Sequence, residues 1–599
     1  MCPRNEAKAI INNRTALSRM PVAGKMGAHS SSSAGTGLSV SRLTNLPQEL
    51  LDQILECLVP DQPELGDTRP VSFEKMIVGE AWYDITLSRR ALLSLCLTSR
   101  DMYKLAQPLL YRVISLLDEE SIVLLCRTYS ETPALGKHAR YLSCHLTLTR
   151  SNVISEIKKS LGRLVRTFQP DHLILSRHYP ATFSAVNILY TALSVISAAG
   201  DSVDDVPQII LFLVASFMTK LETILLQVPI CDDHADYISL SERFADSHLN
   251  LMGLGSESGP VPPISTEMLN AIERPFQHVK TLLLQGDPEL LTHFEGDNCN
   301  CELPELWGVQ TNRYWPVFDA LPSLSTIEVS ADDGVFTNRR HARPDGTRPP
   351  YLERIRHLYL HDSVATPRDL HHVLVNAPNL TTLYMTPRRD PELWPDEEGE
   401  GMDEHPESLD AALRRRPRQL RHLDIAWYDC QGNEPFIGPG GRLASLPRLT
   451  CLEKLCVQLA VLYGVDPVNL LTPLVALLPP NIAELTLEEW WWENITVYDG
   501  LYEWTSAQKV AHYQGKSEYR AQALAILSRF AEDCGGGGGG SMPNLRRVTF
   551  QTKFLWTWQL EGYVSTESHF GRVRELFAGR GVVFEVDEDR SGTLPDVVD

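Results

Sequence analysis

The sequence predicts an α/β protein, with a helical N-terminal segment followed by an irregular solenoid of strand–helix units that share a curved parallel sheet. Three observations carry this prediction. An apolar frame, Leu-x-x-Leu-x-Leu with Ile, Val, Met or Phe as substitutes, recurs nine times. Helical stretches separate several of the copies. Ahead of the first copy, Leu43–Leu116 contains two apolar helical pieces and no frame.

The frames begin at Leu221 (LETILL), Val279 (VKTLLL), Leu324 (LSTIEV), Ile355 (IRHLYL), Leu380 (LTTLYM), Leu420 (LRHLDI), Leu452 (LEKLCV), Ile482 (IAELTL) and Leu545 (LRRVTF). Similar turns introduce four of them: LPS before Leu324, APN before Leu380, LPP before Ile482 and MPN before Leu545. The clearest helix lies in TPRDLHHVLVNAP, where Thr366 is the cap, Pro367 occupies the first turn and Asn376–Pro378 stop it. DPVNLLTPLVALLPP repeats the idea with Pro473 as an expected kink. One strand and one helix cannot bury their apolar sides alone, whereas stacked units share a continuous core. The spacing is uneven, from 25 residues (355 to 380) to 63 (482 to 545), so insertions are expected. The frame resembles the strand signature of leucine-rich repeats, without the Asn or Cys that regular repeats place after the last Leu. The expected organisation is a disordered tail over 1–42, a helical segment over 43–116, a helical linker with first repeats over 117–220, the solenoid over 221–590 and a disordered tail over 591–599. The chain past Leu116 reads as helical to about Arg166.

The helical segment opens with LTNLPQELLDQILECL. Asn45 is a plausible cap, Pro47 sits where a missing N–H is harmless, and Leu46, Leu50, Leu51, Ile54, Leu55 and Leu58 recur at helical spacing. The second piece, ALLSLCLTSRDMYKLAQPLLYRVISL, has leucines at 92, 93, 95 and 97 pointing several ways, which calls for a second packing partner. Together the pieces resemble the F-box, whose pattern opens Leu-Pro-x-Glu-Leu-Leu-x-x-Ile-Leu, matched by Leu46 to Leu55. It continues through a leucine-rich helix to Ser-Arg and an aromatic, matched by Leu92, Leu95, Cys96, Leu97, Ser99, Arg100 and Tyr103. LAQPLLYRVI is similar to the exit segment of fungal-type F-box proteins. A spacer, Val59 to Ser88, stands where the family has a short loop, and is expected to loop out at 59–88. The resemblance covers roughly 70 of the 599 residues.

Composition narrows the function. Hydrophobic content of 43% and charged content of 22% are those of a globular protein, and a net charge of −21 repels phosphate backbones. The twelve cysteines form no C-x-x-C pair, so a reducing compartment, cytoplasm and/or nucleus, is expected and the sequons at Asn13, Asn379 and Asn494 carry no meaning. The apolar run from Ile209 is about half a membrane span. Neither nucleic acid nor membrane is an expected partner.

Chemistry is thin. The glycines at 535–540 follow a helical segment and precede a strand, the reverse of a phosphate-cradling loop. QGKS at Gln514 lacks the first glycine of a P-loop, with Val510 in its place. VDEDRSGTL imitates a calcium loop through Asp587, Asp589, Ser591 and Gly592, but Val598 stands where a bidentate Glu belongs. Cys299 and Cys301 have no second pair for zinc. No nucleophile stands with a base, so no enzyme, metal or cofactor is expected.

The frame does predict a recognition surface. Places 4 and 6 face the core, and places 3, 5 and 7 face outward. Stacking in sequence order gathers His357, Tyr359, His361, Tyr384, His422, Asp424 and the adjoining Trp427 into one outward patch, flanked by Thr326, Glu328, Ser330, Thr382, Thr386 and Ala426. Tyr, Trp and His combine apolar area with hydrogen-bonding tips, which suits protein recognition. His357 and His361 lie about 13 Å apart on an extended strand, too far to share a metal.

The F-box resemblance implies a substrate-receptor subunit of an SCF-type cullin–RING ubiquitin ligase. On that resemblance Leu46, Pro47, Leu50, Leu51, Ile54, Leu58, Leu92, Leu95 and Cys96 contact the Skp adaptor, and through it the cullin and RING subunits. The repeats hold a protein substrate. The alternative is a leucine-rich-repeat binding scaffold with no ubiquitin-ligase role.

Overall fold

The computed structural model describes residues 47–59, 80–116, parts of 121–129, 132–145, 217–228, 276–286, 318, 321–330, 350–363, 367–387, 408–415, 419–425, 442–464, 471–488, 521–534, 541–552 and 566–588. The chain divides into two compact units, Met1–Ile54 and Leu55–Asp599. The second holds a twelve-stranded sheet: β1 (Val113–Leu116), β2 (Tyr141–His145), β3 (Thr223–Val228), β4 (Thr281–Gly286), β5 (Thr326–Ser330), β6 (His357–Ser363), β7 (Thr382–Pro387), β8 (His422–Ile425), β9 (Lys454–Gln458), β10 (Glu484–Glu488), β11 (Arg547–Thr552) and β12 (Val583–Glu588). Spatial order equals sequence order, and the neighbours pair in parallel. The fold is therefore α/β, consistent with a repeat solenoid.

All nine frames are strands, β3 to β11, each starting at place 3. Matched places pair across the sheet: Thr326 with His357, His357 with Thr382, Thr382 with His422, and His422 with Lys454. Because side chains alternate along a strand, this register stacks every place 4 and every place 6 on the same side. Ile327, Val329, Leu360, Leu383, Met385 and Leu423 are all 0% exposed there and belong to one continuous apolar core.

The starts of the strands are tied more tightly than the frame alone suggests. In several of the preceding turns the N–H of place 1 donates to a carbonyl three residues back: Leu221 to Met218 (3.0 Å), Leu324 to Leu321 (3.1 Å), Leu380 to Ala377 (3.2 Å) and Leu452 to Leu449 (3.0 Å). Both ends of these turns are buried. The carbonyl of place 2 then accepts two N–H groups from the next unit, as Arg356 does from Thr381 (2.7 Å) and Thr382 (3.0 Å). Asn379 Nδ2 donates to Glu353 O and Asn481 Nδ2 to Thr450 O, both at 2.6 Å, so side chains in the turns also bind one unit to the one before.

The structure corrects the organisation in five places. A strand, β2, with a 3-10 turn before it at Pro133–His138, stands within the stretch expected to be helical to about Arg166. Ala139 and Cys144 stand at places 1 and 6 of that unit and conceal the frame. β1 likewise takes Val113–Leu116 from the N-terminal helical segment, with Tyr111 at place 1, and β12 is a further strand with Gly581 at place 1. That glycine has φ +73°, a conformation that side-chain-bearing residues avoid. Pro473 does not kink a helix; it is extended (ψ 136°) and begins a 3-10 turn at Leu474–Ala476.

The N-terminal helices are α1 (Gln48–Glu56), α2 (Glu80–Thr98) and α3 (Arg100–Leu110). The fifth correction is that α2 starts eight residues before the end of the expected 59–88 spacer: no Pro or Gly interrupts the chain from Glu80 to Thr98. Ser99 caps α3 by accepting the Met102 N–H at 3.2 Å, and α3 buries Met102, Ala106 and Leu110 on one face. Farther on, α4 (Pro350–Arg354) and α5 (Pro367–Asn376) precede β6 and β7, and the bounds of α5 match the expected helix. In α6 (Leu409–Arg415), buried Asp410 accepts from Arg414 (2.5 Å) and from the Ser445 backbone N–H (2.6 Å), fastening the turn before β9. The tails 1–42 and 591–599 and the six glycines lie outside the described residues.

Two substitutions separate these contributions. Leu383→Ala, at a fully buried place 4, is expected to cost about 2–5 kcal/mol in urea denaturation. Asp410→Ala strands the Ser445 N–H and is expected to cost about 1–3 kcal/mol in the same measurement.

Candidate functional site

The sheet face opposite the core carries the predicted patch, and four adjacent strands build it. Across β5–β8, place 3 reads Thr326, His357, Thr382, His422 and place 5 reads Glu328, Tyr359, Tyr384, Asp424. Place 7 adds Ser330 opposite His361. The register therefore brings six of the seven expected residues onto neighbouring strands; Trp427, like Ala426, lies outside the described residues.

The contacts within the patch run both diagonally, from His361, and straight across, between paired residues. His361 Nε2 lies 3.2 Å from Glu328 Oε1, and since a carboxylate only accepts, Nε2 carries the proton and donates. The His361 ring stands 4.9 Å from the Tyr384 ring, and Tyr384 stands 6.3 Å from Tyr359, tilted by 38°. His357 Nδ1 is 3.0 Å from Thr382 Oγ1. Glu328, treated in the sequence only as a flank, is thus an integral member of the site. Its signal was its place-5 position, matched to Tyr359.

The face is less open than alternation alone predicts. Thr326, Thr382, Ser330 and Asp424 are buried, at 6–8% exposure, and the tyrosines and histidines are half-buried. Strands about 4.8 Å apart, in register through place 6 and shifted by one residue beyond Leu360 between β6 and β7, put like-placed side chains shoulder to shoulder, so each screens its neighbours. Burial lowers the His357 pKa from the ordinary histidine value, and the neighbouring Arg356 charge lowers it further.

Toward β1–β4 the same face changes character. Val113, Tyr141, Leu225 and Leu283, at places 3 and 5, form a separate buried apolar cluster with Val59 against it. The apolar place 5 in LETILL and VKTLLL is the sequence feature that marks this end. Among the described residues no group of three or more His, Cys, Asp or Glu is placed to hold a metal ion.

The N-terminal helices were the second candidate. On α1, Leu50 and Ile54 are each 45% exposed and one helical turn apart, and Pro47 is exposed. Leu58, Leu95 and Cys96 are half-buried. Leu51 and Leu92 are not open surface: they are 4% and 0% exposed, and Leu92 belongs to the main core with Leu55. A leucine-rich helix must spend some of its leucines on its own fold, and spacing alone does not say which. Conversely, Leu87, Leu97 and Tyr103, outside the expected contact set, are 42%, 59% and 45% exposed. Leu46 lies outside the described residues.

No known protein-family model matches the chain, and no curated protein sequence does either. Among the described residues no helix is long and apolar enough to cross a membrane.

The depressed His357 pKa fixes the sign of a pH effect. The unfolded chain binds this proton more readily than the fold does, so stability present above about pH 6.5 declines as pH falls through the ordinary histidine range. His357→Gln is expected to flatten the change in urea midpoint between pH 7 and pH 5 relative to wild type; an unchanged slope would assign the effect elsewhere.

Proposed function

We propose that this chain is the substrate-receptor subunit of an SCF-type cullin–RING ubiquitin ligase. In this reading the N-terminal helices are an F-box that holds a Skp-type adaptor, and the β-sheet belongs to an irregular leucine-rich-repeat solenoid that holds a protein substrate. The observation that carries the reading is the coincidence of the F-box-like sequence with large apolar side chains left in solvent. Leu50 and Ile54 are exposed on α1, within the LPQELLDQIL match, and Leu97 and Tyr103 are exposed in the second half of the motif. Large exposed apolar side chains of this kind mark interaction surfaces.

The proposed chemistry is proximity. A substrate bound to the sheet and a ubiquitin-conjugating enzyme docked elsewhere on the complex react at raised effective concentration, and this chain contributes no catalytic group. Ordered stacking of rigid strands suits that role, because it holds the substrate-binding side chains in place before the substrate arrives.

The test is capture of the adaptor. Leu50→Asp with Ile54→Asp places two charges on the exposed stripe of α1 without touching the buried core, and is expected to weaken adaptor capture on the order of a hundredfold or more while the thermal unfolding transition stays in place. Undiminished co-purification of the double variant with the adaptor sinks the assignment. Neddylated cullin in the wild-type eluate is expected; adaptor without cullin would instead indicate a scaffold.

A further inference from the structure

We infer that the strand-start edge of β1–β4 is a docking band for an acidic segment of a partner protein, a surface separate from the outward patch and independent of the receptor reading. Register builds the band. Place 2 of the four strands reads Arg112, Arg140, Glu222, Lys280, and backbone hydrogen bonds tie each to the next: Arg140 N–H to Arg112 O (2.9 Å), Glu222 N–H to Arg140 O (2.8 Å) and Lys280 N–H to Glu222 O (2.8 Å). The two residues before place 1 add Lys137 and His138 in the second unit, Lys220 in the third and His278 in the fourth. At about 4.8 Å per strand, the row from Arg112 to Lys280 spans about 14 Å.

Cations outnumber acids here. Among the described residues of the band stand Arg112, Lys137, Arg140, Lys220 and Lys280, against two carboxylates in contact with them. Glu222 is shared, with Oε1 2.6 Å from Arg140 and Oε2 3.3 Å from Lys280. Glu56, at the end of α1, takes Arg112 at 2.6 Å. Lys137 and Lys220 are exposed and join no ion pair among the described residues. The charge of Lys220 is felt beside it: burial lowers the His138 pKa from the ordinary histidine value, and Lys220 lowers it further. A chain of net charge −21 thus carries a positive edge. Such a reversal of sign draws in an anionic segment and turns away a cationic one.

The kind of anion follows from which cations are open. Guanidinium forks grip a phosphate bidentately, and both arginines already hold carboxylates. The open groups are the ammoniums of Lys137 and Lys220, in neighbouring units. They are point charges on flexible stems, which suit several carboxylates spread along a chain. A long polyphosphate such as RNA extends past the band onto the acidic remainder of the molecule and is repelled. A short acidic peptide stays on the band.

The test uses the full chain and labelled short Gly-Ser peptides bearing several glutamates, several lysines or a single phosphoserine, followed by fluorescence anisotropy at about 50 and about 150 mM salt. The glutamate peptide is expected to bind, severalfold more weakly at the higher salt, and the lysine peptide not to bind. Lys137→Glu with Lys220→Glu is expected to weaken glutamate-peptide binding about tenfold or more. Arg546→Glu with Arg574→Glu, an equal change of net charge beyond β10, is expected to stay within about twofold of wild type. Both substituted lysines are exposed, so the thermal melt is expected to stay in place. Should that variant unfold, Lys137→Gln with Lys220→Gln decides, with a loss of about threefold or more expected. No binding of the glutamate peptide, equal binding by wild type and the Lys137/Lys220 variant, or an equal loss in the Arg546/Arg574 control overturns the inference. So does tighter binding of the phosphoserine peptide, or of a single-stranded RNA oligonucleotide, than of the glutamate peptide. Failure of this test leaves the receptor assignment standing, because the band is argued without it.

Discussion

The structure depends on one repeated hydrogen-bond arrangement at the strand starts. From Arg112 through Arg140, Glu222, Lys280, Ser325, Arg356, Thr381, Arg421, Glu453 and Ala483, the carbonyl at place 2 receives the N–H groups of places 2 and 3 in the following unit, with first bonds of 2.7–2.9 Å. Each bond pair sets one unit against the next with no freedom to slip. A one-residue slip would exchange the core face with the open face over a whole strand. Side chains reinforce the same line: Arg140 reaches Glu222 at 2.6 Å, Thr381 Oγ1 donates to Arg356 O at 3.0 Å and Arg421 reaches Glu453 at 3.3 Å. The ion pairs are largely exposed and contribute little each, so the backbone bonds carry the register.

Fixed register has opposite consequences on the two faces. On the core face it stacks leucines, isoleucines and valines into one apolar body and makes every unit depend on its neighbours. On the other face it makes rows of chemically distinct side chains, apolar at β1–β4 and aromatic, acidic and imidazole at β5–β8. The second kind of row is what recognition requires, because rigid strands hold Tyr359, Tyr384 and their polar neighbours in place before anything binds. The same arrangement explains how units separated by 25 residues (Ile355 to Leu380) to 82 residues (Ala139 to Leu221) share one sheet. Register is set within a few residues of each strand start, so the length of chain between strands is nearly free to vary.

The asparagines of the turns carry part of the same tie. Asn379 and Asn481 stand one residue before place 1 and donate to a carbonyl of the preceding unit. The turn is thereby fastened at the start of the strand, where the APN and LPP sequences lie.

The sequence by itself determined nine of the twelve strands and their common register, because the burial of places 1, 4 and 6 is written directly as a period of apolar residues. It determined which residues share the open face, since alternation along a strand is a matter of counting. It missed β1, β2 and β12, where Tyr111, Ala139 and Gly581 replace the first leucine and the signal falls below the frame. The tertiary structure alone decided how open the face is and who touches whom. Thr326, Thr382 and Asp424 are outward by alternation yet buried by lateral neighbours, and the His361–Glu328 pair joins residues 33 positions apart. It also decided that Leu92 and Leu51 are buried while Leu50 and Ile54 stay in solvent. Helical spacing makes those leucines alike in sequence; only the packing around them, a long-range property, tells core from surface.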